Sequence, residues 1–328
     1  MSFRRYLLKR LGTALLALFI ALTVNFFIFR IFAPVKDPTQ LIMIPDFPEA
    51  EKQRLRVMWG LDRPLFEQYL IYMYNLVTWQ YGLTFQTQPK PIGPEMAWRL
   101  VNSLSILGIS TAVSTGIGIA LGVYAASKRG KKMDVIVTSS GLFSWAVPAF
   151  FVQILFILFF SNYLHILPSG GVVDPRVHQN FLDLFLDVSY HAIGPIVTLT
   201  ITGFGFWGMY TRNLMIDILT EDYIMTAKAK GVKGRTVMFS HAFRSILPQV
   251  ATVMVTRFPT LVAGSVITEQ LFSWPGIGQW MIEALYQGNH PVTQAITWNY
   301  MVLIVIGFLA MDVLYGFLDP RIRTGGAR

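Results

Sequence analysis

Six apolar stretches, at roughly 11–32, 99–127, 134–160, 190–211, 246–268 and 293–318, limit this chain more than any other feature. Each is at least 22 residues long, enough for a helix rising about 1.5 Å per residue to cross about 30 Å of hydrocarbon. Only 14% of the 328 residues are charged and 53% are hydrophobic, whereas a soluble domain carries roughly 25% charged residues to cover itself in water. That deficit excludes disorder and argues against a soluble enzyme. The chain has no cysteine, which excludes disulfide frameworks, cysteine-ligated zinc and thiol chemistry.

Arg4, Arg5, Lys9 and Arg10 precede the first stretch in the manner of a signal peptide. The apolar run continues to Phe32 without a small-residue cleavage site, well past the roughly 7–15 residues of a signal h-region. It is expected to stay as a first membrane helix. If residues 1–10 are cytoplasmic, the inside segments (1–10, 128–133, 212–245 and 319–328) hold 17 Lys and Arg in 60 residues. The outside segments (33–98, 161–189 and 269–292) hold 7 in 119. Positive charge accumulates on the cytoplasmic side of membrane proteins, so both termini are expected to be cytoplasmic. The formal charge of +9 then reports topology, and nucleic acid drops out as a partner.

The expectation is an all-α, polytopic protein of six transmembrane helices. Residues 1–32 form the N-terminus and first helix, 33–98 an extracytoplasmic segment, 99–318 a five-helix core and 319–328 a cytoplasmic tail. The segment 33–98 opens with Pro34, Pro38, Pro45 and Pro48. A helix is expected over Glu49–Trp59 and a second from Pro64, with Pro in its first turn. Phe66, Leu70, Met73 and Leu76 place an apolar stripe on that second helix, a pattern that packs a helix onto its own protein more often than it binds a ligand. The piece after 161 is also amphipathic and is expected at the membrane interface. Small residues crowd the second stretch (Gly108, Ser110, Ala112, Ser114, Gly116, Gly118, Ala120, Gly122) and recur as Gly203, Gly205 and Gly208 in the fourth. In lipid, such residues let helix backbones approach closely.

The chemistry of catalysis is missing. The five histidines form no H-E-x-x-H spacing, no P-loop lies in the sequence, and no intramembrane carboxylate pair or Ser–His combination stands out. The chain is expected to be neither an enzyme nor a metal protein, and to bind no cofactor. Its informative part is the cytoplasmic loop, about 214–245. There Thr220 reads as an N-cap, Glu221 and Asp222 suit the positive end of a helix dipole, Lys228 and Lys230 suit the other end, and Gly231 suits a left-handed stop. A second short helix is expected from about Thr236, carrying Val237, Phe239, Ala242, Phe243 and Ile246, before Pro248 opens the next span. Two capped helices exceed what a connector needs. The loop either docks on a partner or folds back on its own bundle.

The run Asp222-Tyr223-Ile224-Met225-Thr226-Ala227-Lys228-Ala229-Lys230-Gly231, followed by His241-Ala242-Phe243-Arg244 and Leu247-Pro248, resembles the coupling loop of ABC-importer permease subunits. The resemblance is to the dipeptide, oligopeptide and nickel branch in its first-permease form. It extends through Asp37-Pro38, Gly60-Leu-Asp-Arg-Pro64, Thr268-Glu269, Phe272-Ser-Trp-Pro-Gly-Ile-Gly278, Asp312-Val-Leu-Tyr315 and Asp319-Pro-Arg-Ile-Arg323, over some 320 residues. Where the wider family has Glu-Ala-Ala, this chain has Met225, Thr226 and Ala227; the peptide branch commonly lacks that Glu. The resemblance implies a type I importer permease in the plasma or inner membrane. It would pair with a homologous second permease, two ATPase subunits carrying ATP and Mg, and an extracellular solute-binding protein. Glu221, Asp222, Tyr223, Thr226, Ala227, Gly231, His241, Arg244 and Pro248 would form the ATPase-coupling site. Glu269, Phe272, Trp274, Pro275, Gly276 and Gly278 would lie near the outer gate and the binding protein, although a purely structural turn fits Pro275-Gly276 equally. The cargo would be a peptide, with oligosaccharides and nickel complexes as alternatives. A channel or secondary transporter is disfavoured because filter rings and inverted repeats are not visible.

Arg257 is outside the family pattern, as is Pro259. It lies about 16 Å into the fifth stretch from the cytoplasmic side, where an Arg costs at least about 2.5 kcal/mol. Asp312 lies about 9 Å from the cytoplasmic end of the sixth stretch. The two either pair with each other or Arg257 faces a translocation path.

Overall fold

The computed structural model describes residues 3–32, 48–86, 88–175, 178–263 and 266–318. At 3–6, 31–32, 258–263, 311–312 and 314–318 it describes the backbone alone. The prolines at 34, 38 and 45 and the tail 319–328 lie outside the described residues. Apart from one bridge between Leu83 and Pro91, the described residues are helical or irregular, as expected of an all-α chain.

The helices, in order, are α1 Phe3–Phe27, α2 Glu49–Met58, α3 Leu65–Val77, α4 Ile92–Ser127, α5 Lys132–Ala146, α6 Ala149–Phe156 and α7 Phe181–Leu219. They continue with α8 Asp222–Ala229, α9 Gly234–Thr236, α10 Arg244–Ala263, α11 Val266–Leu271, α12 Ile277–Tyr286 and α13 His290–Leu318. Among the described residues, four segments are long and apolar enough to cross a membrane: Leu7–Arg30, Ile92–Ser127, Phe181–Leu219 and His290–Ala310.

The expected stretch 134–160 is instead a bent pair, α5 and α6 with its π-helical extension to Tyr163, which meet at 92° and pass the same test together. The cause is Val147-Pro148. A residue before proline is pushed out of the helical region, and Val147 takes φ −77° and ψ 129°. The stretch 246–268 becomes α10 and α11. The fourth stretch, expected over 190–211, is longer at both ends. Asn180 caps α7 by accepting a hydrogen bond from the Asp183 N–H at 2.9 Å.

The chain divides into two compact units. The first holds Met1–Ser103, Phe258–Val266 and Pro275–Arg328. Its core joins Leu22 of α1, Leu76 of α3, Met96 of α4, Ile277 and Trp280 of α12 and Ile296 of α13. α2 forms where expected, with Glu49 and Glu51 in its first turn and Arg56 in its last, matched to the helix dipole. α3 starts one residue after Pro64, which sits at the cap rather than in the first turn. Its stripe is only half used, since Met73 and Leu76 reach the core while Phe66 and Leu70 are exposed. The face that docks runs instead through Tyr69 and Tyr72. Tyr69 bonds Thr23 and Tyr72 accepts from Asn25, each at 2.9 Å. Deeper in, Asn299 of α13 donates to the Tyr81 hydroxyl at 3.1 Å. Burial raises the pKa of both the Tyr72 and the Tyr81 phenols, that of Tyr81 to about 12, so these stay neutral hydrogen-bonding groups.

The second unit holds Leu104–Arg257 and Ile267–Trp274, and it is assembled on α7. A Cβ added to Gly118 would fall 2.6 Å from the Phe204 carbonyl oxygen, and one on Gly122 would fall 2.8 Å from the Thr211 Cβ. A Cβ on Gly205 would overlap the Gly141 carbonyl of α5 outright. Gly108 and Gly116 have nothing within 4 Å of such a Cβ, so only part of the small-residue row is a packing face. Gly141 had not been singled out in the sequence. At the end of α7 the Arg212 guanidinium grips Asp134 of α5 in a two-pronged pair, 2.6 and 2.8 Å, and the Gly130 N–H caps the same carboxylate at 2.9 Å.

These glycines separate by consequence. Gly205→Ala is expected to destabilise the purified chain by about 1–3 kcal/mol through overpacking. Gly116→Ala meets no neighbour and should be neutral or stabilising by up to about 1 kcal/mol, because Ala is the better helix former. Thermal unfolding midpoints of the two variants in the same detergent check the contrast.

Candidate functional site

The loop after α7 keeps one face on its own bundle and offers the other to solvent. Thr220 does not start the next helix as expected. It ends α7, and its hydroxyl donates back to the Asp217 carbonyl at 2.7 Å. The N-cap of α8 is Glu221, without a side-chain cap bond. α8 is eight residues long, with Asp222 in its first turn and Lys228 in its last. Gly231 has φ +77°. The Val232 N–H reaches the Ala227 carbonyl at 3.2 Å and the Gly231 N–H reaches Lys228 at 2.9 Å, the pair of bonds that defines a Schellman stop.

Ile224 is fully buried and joins Met215, Val237, Ala242, Ile246 and Val250 in one apolar cluster. Tyr223, Met225, Thr226, Lys228 and Gly231 are exposed, and Ala227 is half-buried. Downstream, the expected short helix is not separate. α9, a π-helical turn over Val237–Phe243 and α10 run on without a break. Pro248 lies inside α10 rather than opening it, and without an N–H it cannot donate to the Arg244 carbonyl four residues back. The Tyr223 hydroxyl and the Ser245 hydroxyl bond at 3.0 Å and tie α8 to α10. His241 is half-buried and Arg244 exposed.

The Phe272–Gly278 segment is a packed turn. Glu269, Phe272, Trp274, Gly276 and Gly278 are buried within this chain, so none of them presents a free surface here; Ser273 is the exposed residue among them. α11 ends in a second Schellman stop, with Trp274 N–H to Glu269 at 2.8 Å and Ser273 N–H to Gln270 at 3.2 Å. Ser273, at φ +47°, takes the left-handed position that glycine fills in α8. Phe272 lies against Gly194 of α7 and Gly170, and Trp274 packs with Ile106, Leu107 and Ala192. Gln153 of α6 donates to Thr268 at 2.7 Å.

Arg257 has a partner that the sequence reading missed. Its guanidinium carbon lies 3.5 Å from the centroid of Phe206, a cation–π contact, and Phe206 stacks on Tyr210 at 5.9 Å. The only available signal was that α7 carries Phe206 and Tyr210 four residues apart on one face. The side chain of Asp312 lies outside the described residues.

The two Schellman stops predict opposite signs. Gly231→Ala adds no clash yet forces a Cβ into the left-handed region, and should cost about 1–2 kcal/mol. Ser273→Gly relieves the same strain and should gain a comparable amount. Unfolding midpoints check both.

Residues 118–324 match the family described as binding-protein-dependent transport system inner membrane component, and residues 3–93 match its N-terminal counterpart. The chain is 34% identical to the oligopeptide transport system permease protein AppB of Bacillus subtilis, over 87% of this chain and 89% of that protein. It is 32% identical to the dipeptide transport system permease protein DppB of Escherichia coli K12, over 97% and 98% of the two chains. The di/tripeptide permease protein DppB of Pseudomonas aeruginosa is 31% identical over the same shares.

Proposed function

The chain belongs to the family of binding-protein-dependent transport system inner membrane components, and from that premise we propose that it is a permease subunit of an ATP-driven importer of di- and oligopeptides. Six spans with both termini in the cytoplasm place α8 on the ATPase side. A homologous second permease completes the path, two ATPase subunits bind ATP and Mg, and an extracellular solute-binding protein delivers cargo. Relatives over nearly the whole chain carry the names of oligopeptide, dipeptide and di/tripeptide permeases, which supports peptide cargo over the other cargoes of the branch.

The observation that carries the coupling role is the two-faced α8. A helix with Ile224 buried and Tyr223, Met225 and Thr226 exposed is held rigidly by its own bundle and still has a free surface for a second protein. Met225→Asp should leave the chain in the membrane with an unchanged unfolding midpoint, because this side chain is 56% exposed. Burying the new carboxylate in a partner cleft should weaken docking by about tenfold or more, equivalent to about 1.4 kcal/mol. Peptide-stimulated ATP hydrolysis in reconstituted vesicles then falls with it. Wild-type hydrolysis and uptake in the variant would remove the assignment.

Arg257 is proposed to face the translocation path, with Phe206 holding its guanidinium by the ring face. Arg257→Gln should insert normally and change the uptake rate or cargo preference. Unaltered uptake across a panel of di- to pentapeptides would exclude a role in the path.

A further inference from the structure

The second unit carries a cluster of metal-ligating side chains that the transport reading does not use. Asp187 and His191 stand one turn apart on α7, and Asp174 approaches from the preceding loop. One donor atom from each falls within 4.8 Å of the others. The carboxylate of Asp187 and the ring of His191 are almost fully buried, at 2% and 3% exposure, while Asp174 keeps 57%. The site is walled on the helix side and open on the loop side.

The protonation pattern points to a ligand. His191 Nδ1 lies 2.9 Å from the Asp187 main-chain carbonyl oxygen, and beside an oxygen that can only accept, Nδ1 must be the donor. In the neutral ring the lone pair is then on Nε2. Nε2 faces Asp174 Oδ1 at 3.6 Å, so this ring nitrogen and a carboxylate oxygen converge on the loop side of the site. Two ligands at about 2.0–2.1 Å from a tetrahedral ion stand roughly 3.3 Å apart, close to the spacing found. The carboxylate of Asp187 is already oriented from behind. His178 Nε2 lies 2.7 Å from its Oδ2, and the Asp174 N–H donates to the same oxygen at 2.9 Å. A hydrogen-bonded outer shell of this kind fixes metal-ligating carboxylates.

We propose that Asp174, Asp187 and His191 bind a divalent transition-metal ion, with His178 supporting Asp187. One imidazole with carboxylates suits zinc and its neighbours, whereas calcium and magnesium take oxygen ligands alone. The ion's effect would be to staple the loop to α7. That loop bears on the Phe272 turn, because the Gly171 N–H donates to the Phe272 carbonyl at 2.9 Å and a Cβ on Gly170 would fall 2.6 Å from the same oxygen. An ion here therefore stiffens the support of that turn.

The test uses the full-length chain in lipid nanodiscs, stripped with EDTA and titrated with Zn2+ against a chromophoric chelator. The expected result is one Zn2+ per chain at about 10 µM or tighter, in the range open to a partly preformed site. Asp174→Asn and His191→Gln should each weaken binding by about tenfold or more. Asp174 is exposed, so its variant should keep the wild-type unfolding midpoint without metal. Zn2+ should also slow hydrogen exchange of amides 171–174 in the wild type and in neither variant. Absence of saturable 1:1 binding, or equal affinity in wild type and both variants, overturns the proposal. Binding is read without transport, so failure here leaves the permease reading untouched, and the loss of transport would leave this site standing.

Discussion

Direct backbone contact at glycine is the constraint on which the second unit depends. In lipid, apolar side chains gain nothing by leaving solvent for a neighbouring helix, and close packing with carbonyl and Cα–H contacts must do the work. Gly118 and Gly122 bring α4 to α7, and Gly141 meets Gly205 from α5. With both neighbours seated so near the α7 backbone, Arg212 and Asp134 come within a two-pronged bond. The basic turn at Lys128–Lys131 is then tied to α7 through the Gly130 N–H on the same carboxylate. An ion pair this buried is weak evidence of stability by itself; here its partners are brought together by helices that the glycines have already positioned.

What could be read from the sequence follows from the range of each interaction. Apolar length is a local property, and it located four crossing segments and the bent pair. The end of α8 was equally legible, because a left-handed stop at Gly231 and charges matched to the dipole need only a few neighbouring residues. Val147-Pro148 was also local and was overlooked inside an otherwise uniform apolar stretch. Thr220 shows the limit of propensity. The same hydroxyl that caps an N-terminus can bond back to a preceding carbonyl, and which it does depends on where α7 stops.

Features that depend on distant partners were not legible. The contact of Arg257 with Phe206 joins residues some fifty positions apart, and nothing in either neighbourhood selects the other. The same holds for Asp174 with His191, whose spacing matches no short metal motif because one ligand comes from a loop and two from successive turns of a helix. The Phe272–Gly278 run was recognised as a unit, but its exposure was not. A turn-forming Pro-Gly pair suggests a surface, whereas Phe272 and Trp274 drive the turn inward.

α7 gives the second unit its mechanical logic. It is one helix of 39 residues, with the Asp–His cluster near its start, the glycine contacts at its middle and the two-faced α8 directly after its end. Pro195 lies between the cluster and the glycines, and as a proline it cannot donate to the His191 carbonyl four residues back. The helix is therefore softest just beyond the Asp–His cluster and stiffest where α4 and α5 grip it. A displacement at the N-terminal end can be absorbed at Pro195 before it reaches the gripped region. A displacement of α8 has no such relief, since Thr220 alone separates α7 from the α8 cap, Glu221, and the Tyr223–Ser245 bond holds α8 to α10. Force applied at α8 should accordingly travel into the glycine-packed bundle as a rigid-body movement, as the proposed coupling to an ATPase would require.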